Sequence, residues 1–131
     1  MNTDWKALFA AAEHARSNAY APYSKFKVGV AVLTQDGEIV EGCNVENASY
    51  GLTVCAERNA LAAVQVKGKK PFAIAIRVDS DKPTPPCGAC RQVISELAAP
   101  EIEIRSRTAT GAEEKYTLKE LLPHAFDKSF L

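Results

Sequence analysis

The sequence predicts one α/β domain over residues 1–131, built as three layers with a mixed sheet of about five strands flanked by helices. Three observations predict it. Helix-like and strand-like segments alternate along the chain. One strand-like run, Phe72–Val78, is apolar without alternation, as in a strand covered on both faces. No internal repeat, low-complexity tract or long linker divides the 131 residues, of which 47% are hydrophobic and 24% charged, the proportions of a globular domain.

The elements follow in order. Trp5, Leu8, Phe9, Ala12 and Ala15 recur at helical spacing, so residues 4–18 form an amphipathic helix, broken by Tyr20-Ala-Pro-Tyr-Ser24. Phe26–Leu33 and Ile39–Cys43 read as two strands, joined at Gln35-Asp36-Gly37 as a hairpin. Residues 45–53 are a polar loop containing glycine. A second helix runs from Cys55 to Val66 with Gly68 as its C-cap. After the Phe72–Val78 strand comes a loop, Asp79–Pro86, with three prolines, and then a third helix from Cys87 to Leu97. Ile102–Arg105 and Glu114–Thr117 are further strands around a turn at Gly111, and Leu118–Leu122 is a short helix stopped by Pro123. The second helix has hardly any polar face through Ala60, Leu61, Ala62, Ala63, Val64 and Val66. A helix that is apolar all round is buried all round, and in a domain this small its outer side calls for a second subunit.

Composition removes several function classes. Sixteen Lys+Arg balance sixteen Asp+Glu, so the surface offers no phosphate track, and nucleic-acid polymers are not expected as partners. No apolar run approaches the ~20 residues that span a bilayer. Met1–Lys6 contains Asp4 and lacks the basic-then-apolar plan of a secretory signal. A cytoplasmic location is expected, where four cysteines stay reduced and read as ligands, nucleophiles or buried apolar groups.

Chemistry concentrates in Cys55-Ala56-Glu57-Arg58 and Pro86-Cys87-Gly88-Ala89-Cys90, each at a helix start. Cys87 and Cys90 are one helical turn apart, so their sulfurs share a face. Tetrahedral zinc accepts such thiolates at ~2.3 Å, and Cys55 can supply a third. Both helix N-termini then aim their positive ends at the site, and Arg58 can donate to the sulfurs and offset their charge. Three protein ligands leave a fourth position for water, whose pKa zinc lowers to ~7 in catalytic sites. Glu57, two residues from a ligand, is placed to transfer protons. Taken alone, Cys-x-x-Cys also fits a redox pair or half of a structural zinc site. Cys43 would close such a site with a fourth thiolate, or is simply a buried cysteine in an apolar strand.

Cys-Ala-Glu, followed 32 residues after Cys55 by Pro-Cys-x-x-Cys, resembles the zinc-deaminase signature, with cysteine in the place of its histidine. Tyr20-Ala-Pro-Tyr-Ser-Lys-Phe26, Gly42-Cys-Asn-Val-Glu-Asn47, Pro86-Cys-Gly-Ala-Cys-Arg-Gln92 and Glu120-Leu-Leu-Pro123 extend the likeness along nearly the whole chain. Together these segments resemble the small homotetrameric, zinc-dependent cytidine deaminases.

The resemblance implies a three-layer deaminase fold with one zinc ion per subunit on Cys55, Cys87 and Cys90, and Glu57 as the proton shuttle. It also implies Asn44 and Glu46 at the ribose hydroxyls, Phe26 beside the base, and the Ala56 N–H on the pyrimidine carbonyl. Phe126 and Tyr50 would act at subunit interfaces, Phe126 by entering a neighbour's site. The implied reaction is hydrolytic removal of ammonia from C4 of cytidine or deoxycytidine, in pyrimidine salvage. Another aminopyrimidine nucleoside as substrate, or a non-catalytic zinc-binding module, are the alternatives. His14 and His124 receive no catalytic role.

Overall fold

A computed structural model describes residues 2–131. Helix α1 spans Trp5–Ser17, and its first turn is capped by the Asp4 carboxylate, which accepts the Ala7 N–H at 3.1 Å. Strands β1 (Gly29–Thr34) and β2 (Ile39–Cys43) form the expected hairpin. Helix α2 (Ala56–Val66), strand β3 (Pro71–Arg77), helix α3 (Gly88–Leu97), strands β4 (Glu103–Arg107) and β5 (Glu113–Thr117) and helix α4 (Leu118–Leu121) follow.

The five strands form one sheet in the order β2-β1-β3-β4-β5, antiparallel except where β4 pairs parallel with β3. That parallel step needs a crossover, which α3 provides. Alternation across the two central strands sorts the layers. Val30, Val32, Ile74 and Ile76 point to the face covered by α2 and α3, with Leu61, Val64 and Ile94 filling the space between. Ala31, Leu33, Ala73 and Ala75 point to the other face, where Leu8, Phe9 and Ala12 of α1 seat on them. Each fully buried Leu- or Ile-sized side chain contributes roughly 1.5–3 kcal/mol, so these two clusters hold the three layers together.

The expected three-layer α/β fold is therefore present, with local corrections. Strand β1 begins at Gly29 and not at Phe26. Lys25 adopts a left-handed φ of 62°, and Phe26 and Val28 are bonded to the Asn44 side chain in place of a neighbouring strand. The polar loop after β2 is more ordered than its composition indicates. Val45 bridges both Tyr20 and Val54, and Tyr50–Leu52 forms a 3₁₀ turn. Cys55 and Cys87 lie one residue outside their helices, as N-caps with extended backbones. A last 3₁₀ turn, Lys128–Phe130, follows a tail that offers no apolar periodicity. Helix α2 buries Ala56, Glu57, Ala60, Leu61 and Val64 against the sheet and α3, while Ala62 and Val66 face outward, Val66 at 87% exposure.

Two glycines let helices descend onto the sheet at the end where the functional residues gather. A Cβ on Gly29 would lie 1.9 Å from the Ala12 carbonyl, and one on Gly42 would lie 2.4 Å from the Ala60 nitrogen and 2.7 Å from the Ala56 carbonyl. These neighbours are backbone atoms and cannot rotate away. Gly42→Ala is expected to lower unfolding stability by about 1–3 kcal/mol, measured by urea denaturation. Wild-type stability in that variant would contradict the close approach of α2.

Candidate active site

Strands β2 and β3 both run antiparallel to β1, so their C-terminal ends lie side by side. Gly29, at the start of β1, pairs with Cys43 on one side and Arg77 on the other. Three chain segments therefore meet at one end of the sheet: Phe26–Val28 entering β1, the loop from β2 to α2, and the loop from β3 to α3. Open α/β sheets bind ligands outside the carboxyl ends of their strands.

Cys55 and Cys87 occupy the N-cap positions of α2 and α3, and neither sulfur is spent on capping its own helix. Their sulfurs are 3.8 Å apart, and Cys87 Sγ lies 3.5 Å from Cys90 Sγ. Sulfurs at two corners of a tetrahedron around zinc, each ~2.3 Å from the ion, are about 3.8 Å apart, so the cluster fits that ion. Soft thiolate donors favour zinc over harder divalent ions. Among the described residues this is the one group of three or more potential ligands gathered closely enough for a metal, and Cys43 is outside it. Arg58 Nη2 approaches Cys55 Sγ at 3.6 Å, while its buried Nε has no protein partner. The Cys90 thiol and the Arg58 guanidinium, donating to that sulfur, draw the Cys55 thiol down to about 5, and the same bond with Cys55, together with burial, pushes Cys90 up. Arg91 braces the cluster from behind, with Nε on the Pro86 carbonyl at 2.7 Å and Nη1 on the Leu121 carbonyl at 3.0 Å.

Beside the sulfurs lies a cavity of about 170 Å³ lined by Phe26, Val28, Asn44, Ile76, Val78 and Pro85, with Ala56, Glu57 and Cys55 at its floor. Glu57 is only 6% exposed. Burial, with the charge of Cys55 adding to it, pushes its carboxyl up to about 7. The Ala56 N–H is one of the donors that the first turn of a helix leaves without an intrahelical acceptor. Wider clefts of about 640 and 680 Å³ lie elsewhere, but no cysteine lines either.

The remaining residues singled out in the sequence fall into three groups. Asn44 lines the cavity, with Oδ1 accepting the Val28 N–H and Nδ2 donating to the Phe26 carbonyl, both at 2.8 Å. Glu46 and Tyr50 line an adjoining open basin with Tyr23, Ser24 and Thr53. Tyr50 is 78% exposed and meets Tyr23 edge to face at 6.3 Å. Phe126 does not line the cavity of its own chain: it is 62% exposed, stacks on Phe130 at 5.5 Å, and its carbonyl accepts from Gln92 Nε2. His14 bonds Glu41 at 2.6 Å on α1, away from the cysteines. Sequence reasoning missed Thr84 and Pro85, which wall the cavity from the β3–α3 loop. It also missed Thr53, shared by cavity and basin. The only signal for the first pair was proline spacing just before Cys87.

Residues 2–105 match the family model of the cytidine and deoxycytidylate deaminase zinc-binding region. The chain belongs to this deaminase family. It is 47% identical over 124 residues to cytidine deaminase of Halalkalibacterium halodurans, covering 94% of each chain. To cytidine deaminase of Sporosarcina psychrophila it is 44% identical, covering 98% of this chain and 95% of that one. The crystal structure of cytidine deaminase from Burkholderia pseudomallei superposes with a TM-score of 0.90 at 48% identity, covering 95% of this chain and all of the other. The zinc-binding deaminase family and the three-sulfur cluster agree on a zinc cofactor. Cys55→Ala removes one corner of the cluster and is expected to drop zinc well below the wild-type content, measured by elemental analysis of the purified protein. Full zinc in that variant would eliminate Cys55 as a ligand.

Proposed function

We propose that the chain hydrolytically deaminates cytidine and deoxycytidine to uridine and deoxyuridine, releasing ammonia. The observation that carries this reading is a single buried carboxylate, Glu57, on the floor of an apolar cavity beside three clustered thiols. A carboxylate is costly to bury without use. The cavity is close to the ~150 Å³ that accommodates benzene in an engineered protein core, so one six-membered ring suits it better than a purine. Apart from Glu57 and the cysteines, its lining carries no acidic or basic side chain, as suits an uncharged base.

In this reading Cys55, Cys87 and Cys90 hold the zinc ion. When bound there, zinc supplies a Lewis acid that brings water ionisation near neutrality. Glu57 takes the proton of the attacking water and delivers it to ring N3, which makes C4 electrophilic. Oxygen then bonds to C4. Glu57 next takes the proton of the new C4 hydroxyl and passes it to the exocyclic amine, the C4–N bond breaks as the C4 carbonyl forms, and ammonia leaves. Phe26 flanks the base, the Ala56 N–H donates to the pyrimidine carbonyl, and Asn44 and Glu46 take the ribose hydroxyls. Arg58 offsets the thiolate charge.

The same reading assigns a homotetramer with Tyr50 and Phe126 at subunit contacts. Leu52, Val66 and Phe126 are each more than half exposed in the single chain, and subunit contacts would cover them. A cytoplasmic setting and a role in pyrimidine salvage are part of it. Among the described residues no helix is long and apolar enough to cross a membrane.

Two measurements check this reading. Glu57→Gln is expected to keep zinc and fold while kcat for cytidine falls at least ~10²–10⁴-fold, followed by loss of cytidine absorbance. Near-normal turnover would remove Glu57 from proton transfer. Sedimentation velocity at micromolar concentration is expected to give the mass of four chains; a monomer would overturn the assembly.

A further inference from the structure

Glu46 is heavily engaged before any ligand arrives. Its Oε1 accepts the Tyr23 N–H at 3.0 Å and the Ser24 N–H at 3.1 Å, while its Oε2 accepts the Ser24 hydroxyl proton. A carboxylate oxygen has two lone pairs, so Oε1 is filled and Oε2 keeps one acceptor site. A ligand hydroxyl reaching Glu46 must therefore bond to the oxygen that Ser24 already holds. The Ser24 hydroxyl is tied on its other side as well, accepting the Phe26 N–H at 3.0 Å. One hydroxyl thus joins a carboxylate in the open basin to the aromatic residue that lines the cavity beside Glu57. Between them Lys25 holds a left-handed φ of 62°, the one positive φ at a residue other than glycine among those described. That conformation is disfavoured by its Cβ and persists where surrounding bonds hold it, here with the Lys25 N–H on the Ala21 carbonyl at 3.1 Å.

We propose that Ser24 is a positioning residue for nucleoside recognition: it fixes Glu46 Oε2 relative to Phe26, so that base and sugar hydroxyl are engaged together. The inference rests on Glu46 being the acceptor for a sugar hydroxyl. Ser24 also holds the Glu46 carboxyl below its ordinary range, which keeps it ionised and accepting. Without the Ser24 hydroxyl, Oε2 is free to turn and the Phe26 N–H loses its partner. The loss falls on binding, because neither group touches the bond being broken.

The test uses zinc-loaded enzyme and two substrates, cytidine and 2′,3′-dideoxycytidine, which keeps the base and lacks both sugar hydroxyls at issue. Ser24→Ala is expected to raise KM for cytidine about tenfold or more with kcat and zinc content held. The penalty in kcat/KM is expected to be much smaller for the dideoxy substrate, and Ser24→Thr, which restores a hydroxyl, is expected to recover most of the cytidine KM. Should Ser24→Ala not fold, Ser24→Cys keeps the shape with a far weaker donor and carries the same comparison. An unchanged cytidine KM, or an equal loss of kcat/KM for both substrates, overturns the proposal. Glu46→Ala separates the two levels. If it raises the cytidine KM while Ser24→Ala does not, only the positioning role falls; if it leaves both substrates unaffected, the sugar reading of Glu46 falls and the proposal with it.

Discussion

The molecule depends on bringing two helix N-termini to one point. Each N-terminus concentrates unsatisfied N–H groups and partial positive charge. Placing two of them so that Cys55 and Cys87 sulfurs sit 3.8 Å apart would be repulsive without anionic groups between them. Thiolates supply that charge, and a divalent ion held by them would tie the two helix starts together. The sheet enforces the meeting: β2 and β3 are both antiparallel to β1, so the helices that follow them start at the same edge. Gly42 lets α2 come down close enough for its first turn to take part.

Around this centre the chain spends its polar groups on itself. Asn44 holds the Phe26–Val28 segment through both ends of its amide, and Glu46 holds the Tyr23–Ser24 turn. Each side chain keeps unused hydrogen-bonding capacity toward the cavity or basin. Groups fixed by such internal bonds lose little freedom when a ligand arrives, which is how preorganisation raises affinity. Glu57 follows a different logic. It has no side-chain hydrogen bond to another residue among those described, and burial, with the charge of Cys55 beside it, raises its affinity for a proton. A carboxyl that exchanges its proton readily serves as both acid and base.

Much of this was legible in the sequence because the signals were local. The helical period of Trp5–Ala15, the turn at Gln35-Asp36-Gly37, the unbroken apolar run of β3 and the two cysteine segments each carry their meaning within a few residues. Less legible was whatever depends on partners distant in sequence. Phe26 reads as the start of a strand, yet Asn44, eighteen positions on, holds it out of the ladder. Thr84 and Pro85 look like ordinary loop residues until β3 and α3 place them over the cavity. Ser24 stood inside a recognisable segment, but its link to Glu46 spans 22 residues and has no periodic signature. Phe126 and Tyr50 remain exposed in one chain, and neither belongs to a periodic pattern that a sequence reading could use.

X-ray absorption at the zinc edge of the protein as isolated tests the central claim most directly. Three sulfur scatterers at ~2.3 Å and one oxygen or nitrogen scatterer at ~2.0–2.2 Å are the predicted shell. A shell of four sulfurs would make the site a closed structural one, and an absent edge would remove the metal altogether; either result contradicts the account.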